Sequence, residues 1–377
     1  MRCTRLVLGL LGLVALGLAS RPAAAQSTVT TFSASEPPDR VYRTPETISQ
    51  APDGFGTFGG QYFIPDFNRG LPNGDIWVVP ESGGPPSSFA KIPVINARGG
   101  LFLPSTGWGE HSGRFLVDGP MLEVTTGGIA ESGESRIYTY GPDGTPNLFL
   151  STAGSFAQPR IAPTGFGGFA GQLIVANVGS AAGLADNILA IAATGAISIV
   201  AGTPIAPFGL AFAPAGFGAF AGQLFASSSR DGRIVAVSPD GAVTPFATIP
   251  LEPGQTSLFQ MEFSPAGFLP GFDELLFVSV RGSTFGGGIL GDVVALDSSG
   301  EIVARLRSDL GLTKFDPRGL LFTDAGLLIS DASDPILLVT PGAFSVVPEP
   351  SSLALLGLGV AGLAATRRRL PARRSSG

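Results

Sequence analysis

Ala213-Pro-Ala-Gly216-Phe-Gly-Ala-Phe-Ala-Gly-Gln223-Leu-Phe-Ala decides the fold, because the phrase recurs along the chain. Close copies are Ala51-Pro-Asp-Gly54-Phe-Gly-Thr-Phe-Gly-Gly-Gln61 and Ala162-Pro-Thr-Gly165-Phe-Gly-Gly-Phe-Ala-Gly-Gln172. Weaker copies start at Leu103 and Ser264, and a shortened one runs from Asp316 to Gly326. The anchoring glycines stand at 54, 107, 165, 216, 267 and 319, separated by 53, 58, 51, 51 and 52 residues. A period near 50 is that of a propeller blade; the rungs of a parallel β-helix, the other repeat architecture considered, are much shorter.

The unit around Gly216 has the order of a blade. Phe208 to Ala213, Gln223 to Ser228, Arg233 to Ser238 and Ala242 to Ile249 are alternating or apolar runs, the last two joined by the turn Pro239-Asp240-Gly241. Pro142-Asp143-Gly144, Thr194-Gly195 and Ser299-Gly300 repeat that turn elsewhere. The expectation is an all-β, six-bladed β-propeller of four-stranded blades over residues 45–346, preceded by an extended segment, 26–44. Ala343 to Val346 and Val29 to Phe32 are both candidates to complete the last blade. The chain's 54 Gly and 32 Pro in 377 residues agree, since both break helix interiors and serve turns.

Both ends have the character of addresses. Arg2 and Arg5, the apolar run Leu6 to Ala19 and Ala23-Ala24-Ala25 form a three-part secretory signal, with cleavage expected after Ala25 by signal peptidase. Cys3, the lone cysteine, leaves with it, so no disulfide framework is expected. At the other end Val347-Pro348-Glu349-Pro350-Ser351 precedes the apolar stretch Leu353 to Ala365 and then Arg367-Arg368-Arg369. This tail, 347–377, resembles the PEP-CTERM sorting tail of exported bacterial proteins. The resemblance implies recognition by an exosortase near Pro348-Glu349-Pro350, transient membrane insertion through the C-terminal helix, and delivery to the cell surface or extracellular matrix, with extracellular polysaccharide a candidate partner.

The charge divides unevenly. Of 23 basic and 29 acidic residues, three Arg lie in the first 25 positions and five Arg with Glu349 lie from Val347 onward, leaving 15 bases and 28 acids between. A body of net charge −13 repels nucleic acid and anionic membranes.

Few chemical motifs survive inspection. Gly54-Phe-Gly56-Thr-Phe-Gly59 matches the dinucleotide fingerprint but precedes a strand rather than opening a helix, so it is expected to be a blade loop whose phenylalanines fill the space between blades. Ser88-Phe-Ala-Lys91 matches S-x-x-K on a segment that reads as an outer strand. His111, the sole histidine, takes the place of Phe58, Phe169 and Phe220, a packing position. One histidine and no body cysteine exclude His/Cys metal sites and Ser-His-Asp or Cys-His nucleophile systems.

One constellation remains. Counting five residues from Gln61, Gln172, Gln223, Glu274 and Gly326 reaches Asp66, Asn177, Ser228, Ser279 and Asp331, with Asp118 one place early in the second unit. Six small polar oxygens at strand ends near a channel mouth suit Ca²⁺ or a sugar hydroxyl, or else simply start the next turn. The ring resembles that of NHL-repeat propellers and of the calcium-dependent gluconolactonase type. That resemblance implies ligation by a glutamate, two asparagines and an aspartate, of which Asn177 and Asp331 match two roles, and Glu262 is the only acid on an expected inner strand. The serines depart from that pattern. Two functions follow: a structural or binding module at the surface, without catalytic residues, or a calcium-dependent lactonase.

Overall fold

The computed structural model describes residues 29–34, 45–66, 74–93, 95–125, 128–178, 186–282, 290–306, 315–332 and 335–347. The signal segment with Ala23 and Ala25, and the tail with Pro348, Glu349, Pro350, Arg367, Arg368 and Arg369, lie outside the described residues. Among the described residues no helix is long and apolar enough to cross a membrane.

Strand β1 is Val29–Ser33. Blade one contains β2 (Ser49–Gln50), β3 (Tyr62–Asp66), β4 (Gly74–Val79) and β5 (Ser87–Ile92); blade two contains β6 (Gly99–Phe102), β7 (Phe115–Thr125), β8 (Gly128–Tyr140) and β9 (Pro146–Ala153). Blade three runs β10 (Phe156–Ile161), β11 (Leu173–Asn177), β12 (Asn187–Ile191), β13 (Ile197–Gly202), and blade four β14 (Pro207–Phe212), β15 (Leu224–Ser228), β16 (Arg233–Val237), β17 (Val243–Thr248). Blade five runs β18 (Leu258–Phe263), β19 (Leu276–Val280), β20 (Asp292–Leu296), β21 (Ile302–Leu306), and blade six β22 (Pro317–Thr323), β23 (Gly326–Asp331), β24 (Ile336–Val339). Every sheet is an antiparallel meander, and the first strands of successive blades are neighbours around the centre. The six-bladed, four-stranded expectation holds.

Closure is made at the N-terminal end. β1 pairs with β24 and supplies the fourth, outer strand of blade six, while β25 (Phe344–Val346) adds a fifth strand to blade five beside β21. Of the two candidates for the last outer strand, Val29 to Phe32 therefore takes the place and Ala343 to Val346 does not. Sheet edges seek partners, and β21 offered one to the trailing chain.

The repeated phrase is the loop between the first two strands. In blades one to four it carries a single 3₁₀ turn, Gly56–Phe58, Gly109–His111, Gly167–Phe169 and Gly218–Phe220, each opening on a glycine with φ between 52° and 56°. That left-handed conformation explains the second glycine of the motif. The first aromatic of each loop packs on the next blade's inner strand: Phe55 on Phe102 at 4.9 Å, Phe166 on Phe212 at 4.9 Å, Phe217 on Phe263 at 4.8 Å and Phe268 on Phe322 at 4.8 Å. Trp108 and Ile161 share one core cluster in the corresponding place. The second aromatic meets its own outer strand, Phe58 on Phe89 and Phe220 on Phe246, both at 5.2 Å. His111 does the same against Phe149 at 4.8 Å, buried, with Nδ1 2.9 Å from Thr139 Oγ1. Burial lowers its pKa, as befits a packing group.

Candidate functional site at the channel mouth

The register aligns all six inner strands. Gln50, Phe102, Ile161, Phe212, Phe263 and Phe322 are the residues paired with the first residue of each second strand, except in blade six, where Phe322 pairs with Leu327, the second. Four residues before them stand Glu46, Arg98, Ala157, Phe208, Phe259 and Arg318. One side of this set is charged and the other is apolar.

These side chains meet in the centre. Arg318 places Nη1 3.6 Å from Glu46 Oε1 and donates from Nη2 to Asp316 Oδ2 at 2.9 Å, and Arg281 Nε lies 3.7 Å from Asp316 Oδ1. The Arg318 and Arg281 guanidinia stand 4.8 and 5.5 Å from the centre of the Phe259 ring, which itself packs on Phe208 at 4.3 Å with the ring planes tilted by 42°. Arg98 lies 5.8 Å from the Phe208 ring, pairs with Glu131 and donates from Nη1 to Ser155 Oγ at 2.7 Å. Glu131 comes from the β7–β8 hairpin, the longest of the structure, and also accepts from Asn96 Nδ2 at 2.9 Å. Burial pushes the Glu46 carboxyl above its ordinary range, against the pull of Arg318 first and then Arg281 and Arg98. Arg160 reaches from blade three to Glu262 on blade five at 3.1 Å, so Glu262 faces an arginine.

The six strand-end oxygens occupy two registers. Asp66, Asn177, Ser228 and Asp331 are the last residues of their second strands, whereas Asp118 and Ser279 stand one place earlier, level with Ser227 and Ser330. In blade five Leu275, not Glu274, takes the position of Gln223, since Ser264 N–H donates to its carbonyl as Ala213 N–H does to that of Gln223. Its loop is one residue longer than those of blades three and four.

The last-residue oxygens serve their own blades. Asn177 Oδ1 accepts the Ser155 N–H at 2.8 Å and Asp331 Oδ1 the Asp316 N–H at 2.9 Å, while Ser228 Oγ accepts from Arg230 and Asp231. The earlier position staples neighbouring blades. Ser227 Oγ accepts from Gly209 N–H and donates to Phe259 O at 2.8 Å; Ser279 accepts from Gln260 N–H and donates to Arg318 O; Ser330 accepts from Gly319 N–H and donates to Pro45 O. Asp118 stands in this place in blade two, fully buried, with both carboxyl oxygens unbonded. Burial raises its pKa from 3.8 to about 7 despite Arg98 nearby.

A cation does not fit these donors. Asn177 and Asp331 are engaged by buried backbone groups, three arginines hold the centre, and among the described residues no three His, Cys, Asp or Glu side chains are gathered to hold a metal. Glu46, Arg98, Asp316 and Arg318 escape a reading based on strand ends; the signal for Glu46, Arg98 and Arg318 was their fixed distance from the inner-strand register, and Asp316 lies two residues before Arg318. Ser88 and Lys91 lie on β5, where Lys91 pairs with Asp75 across the blade.

Residues 346–369 match the PEP-CTERM protein-sorting motif. No curated protein matches the chain. Among solved structures, a chain assigned as a gluconolactonase is similar at TM-score 0.56 and 14% identity, over 86% of this chain and 95% of that one. A gluconolactonase from Xanthomonas campestris is similar at TM-score 0.54 and 13% identity, over 86% and 93%. At such identities the likeness is one of fold. The PEP-CTERM motif implies exosortase-sorted export and a surface or extracellular location.

Proposed function

We propose that the chain is an exported protein, released from its signal by signal peptidase and sorted by an exosortase to the cell surface or extracellular matrix, where the propeller serves as a structural or binding module. The sorting match at 346–369 carries the first half. The second half is supported by the channel mouth, where arginines pair with carboxylates and serines bond to backbone, although Asp118 keeps both carboxyl oxygens unbonded. The similar gluconolactonases suggest the alternative, a calcium-dependent lactonase. Three guanidinia at the centre oppose it, because unit charges of like sign a few ångströms apart repel by several kcal/mol even at an effective dielectric of about 20.

Two measurements test the proposal. Deleting Pro348 to Pro350 is expected to abolish C-terminal processing in the native host; unchanged processing and location would overturn the sorting half. Titration with Ca²⁺ and a screen of lactones, with Asp331→Ala as control, is expected to give neither saturable binding nor turnover. Turnover lost in Asp331→Ala would establish the lactonase instead.

A further inference from the structure

Blade six differs from the other five in its loop, and a cavity follows from the difference. In blades one to five the repeated loop brings an aromatic side chain onto the next blade's inner strand. In blade six Thr323-Asp324-Ala325-Gly326 turns directly from β22 into β23, with no aromatic to offer. The residue awaiting it on blade one is also changed: Gln50 stands where the other inner strands have Phe102, Ile161, Phe212, Phe263 and Phe322. Between the two blades, on the loop side and away from the channel mouth, lies a cavity of about 510 Å³. This volume is within the ordinary range of small-molecule sites.

Its walls have one chemical bias. Glu81 and Asp324 line it, and neither carboxylate has an ion pair or hydrogen bond among the described residues. Tyr62 also lines it, its ring buried, and its hydroxyl makes no hydrogen bond among the described residues. Burial raises the Tyr62 pKa, with Glu81 and then Asp324 adding to it, so the phenol remains a neutral donor beside two anions. Gln50 uses its amide nitrogen on Gly60 O and keeps its carbonyl. Phe322 and Pro265 give the cavity apolar faces.

We infer that this cavity binds an amino sugar, a hexosamine unit with a free ammonium group. Glu81 and Asp324 are exposed and hydrated at the rim, where two carboxylates without ion pairs favour a cation; the Gln50 carbonyl and Tyr62 hydroxyl suit hydroxyl groups, and Phe322 with Pro265 the C–H face of a sugar ring. Anionic sugars are excluded by the same carboxylates. This inference rests on the proposed role as an extracellular binding module and names its ligand class.

The test is calorimetric titration of the full chain with a glucosamine oligomer, its N-acetylated counterpart and a glucose oligomer. Saturable binding of the glucosamine oligomer is expected, weakened at least tenfold by N-acetylation and in Glu81→Gln/Asp324→Asn, and severalfold in Tyr62→Phe, which keeps the ring packing. Equal binding of the N-acetylated oligomer, equal binding by the double variant, or no binding at all would overturn it. A simple polyamine binding as tightly as the glucosamine oligomer would overturn the sugar assignment. Processing in the deletion of Pro348 to Pro350 fails or holds independently, so a failed ligand is distinguishable from failed sorting.

Discussion

Replacing Asp118 by Asn should stabilise the propeller, and only above neutral pH should the full gain appear. The carboxyl occupies a position where Ser227, Ser279 and Ser330 each accept one backbone N–H and donate to the next blade's carbonyl. An ionised carboxylate has no proton to donate, and here both its oxygens are buried and unbonded. Its pKa is raised from 3.8 to about 7, so the proton is held more tightly in the folded chain than in the unfolded one. Below about pH 4 both states are largely protonated and ionisation contributes no cost. Between about 4 and 7 the unfolded chain releases the proton first, and stability falls by about 1.4 kcal/mol per pH unit. Above 7 the loss levels off near 4 kcal/mol. Urea unfolding of the chain and of Asp118→Asn, followed by tryptophan fluorescence, measures this at pH 4 and pH 8. The stability difference between the two should grow by about 4 kcal/mol in favour of Asn. Glu46 titrates in both and cancels. A difference constant within about 1 kcal/mol between the two pH values would refute the assignment of a buried, unpaired carboxyl.

Two further substitutions test the blade-to-blade packing. Phe217→Ala removes a buried ring that touches Phe225, Phe246 and Phe263 on two blades, and should cost about 3–5 kcal/mol in urea unfolding; a loss under 1 kcal/mol would contradict the role of the loop aromatics. Gly209→Ala would set a methyl 2.0 Å from the Phe259 carbonyl oxygen, against backbone that cannot swing aside, and should destabilise by roughly 1–3 kcal/mol or more. A neutral Gly209→Ala in the same assay would mean that blades four and five sit farther apart than described.

The blades were legible in the sequence because their signals are local. A phrase such as Gly216-Phe-Gly-Ala-Phe fixes a turn through its glycine φ and a contact through its aromatic, and both survive translation along the chain. His111 was readable for the same reason, as a substitute at a known place in a repeated unit. Ring closure was not legible, since β1 takes the edge of β24 some 300 residues away while β25 takes that of β21 about 40 residues back, and nothing near Val29 or Phe344 names a partner. The oxygen ring was misaligned by a single residue: the loop before Leu275 is one longer than its counterparts, and in a strand one residue reverses the face. The charged centre was hidden more deeply. Arg98, Glu46 and Arg318 have no common identity, and only the strand register shows that they share a level.

The position of β25 has a mechanical consequence. The segment bearing the sorting motif leaves the body from the outer edge of blade five, where Val347 N–H bonds to Val303 O and Phe344 to Val346 pair with β21. Tension applied through the tail therefore reaches a three-residue supernumerary strand first and can peel it away while all four strands of that blade remain joined. Only Thr340 and the turn Pro341–Ala343 separate β25 from β24, so once β25 has been peeled the load passes to β24 and the seam with β1 that keeps the ring shut. The supernumerary strand is a sacrificial contact standing between the tail and the closure.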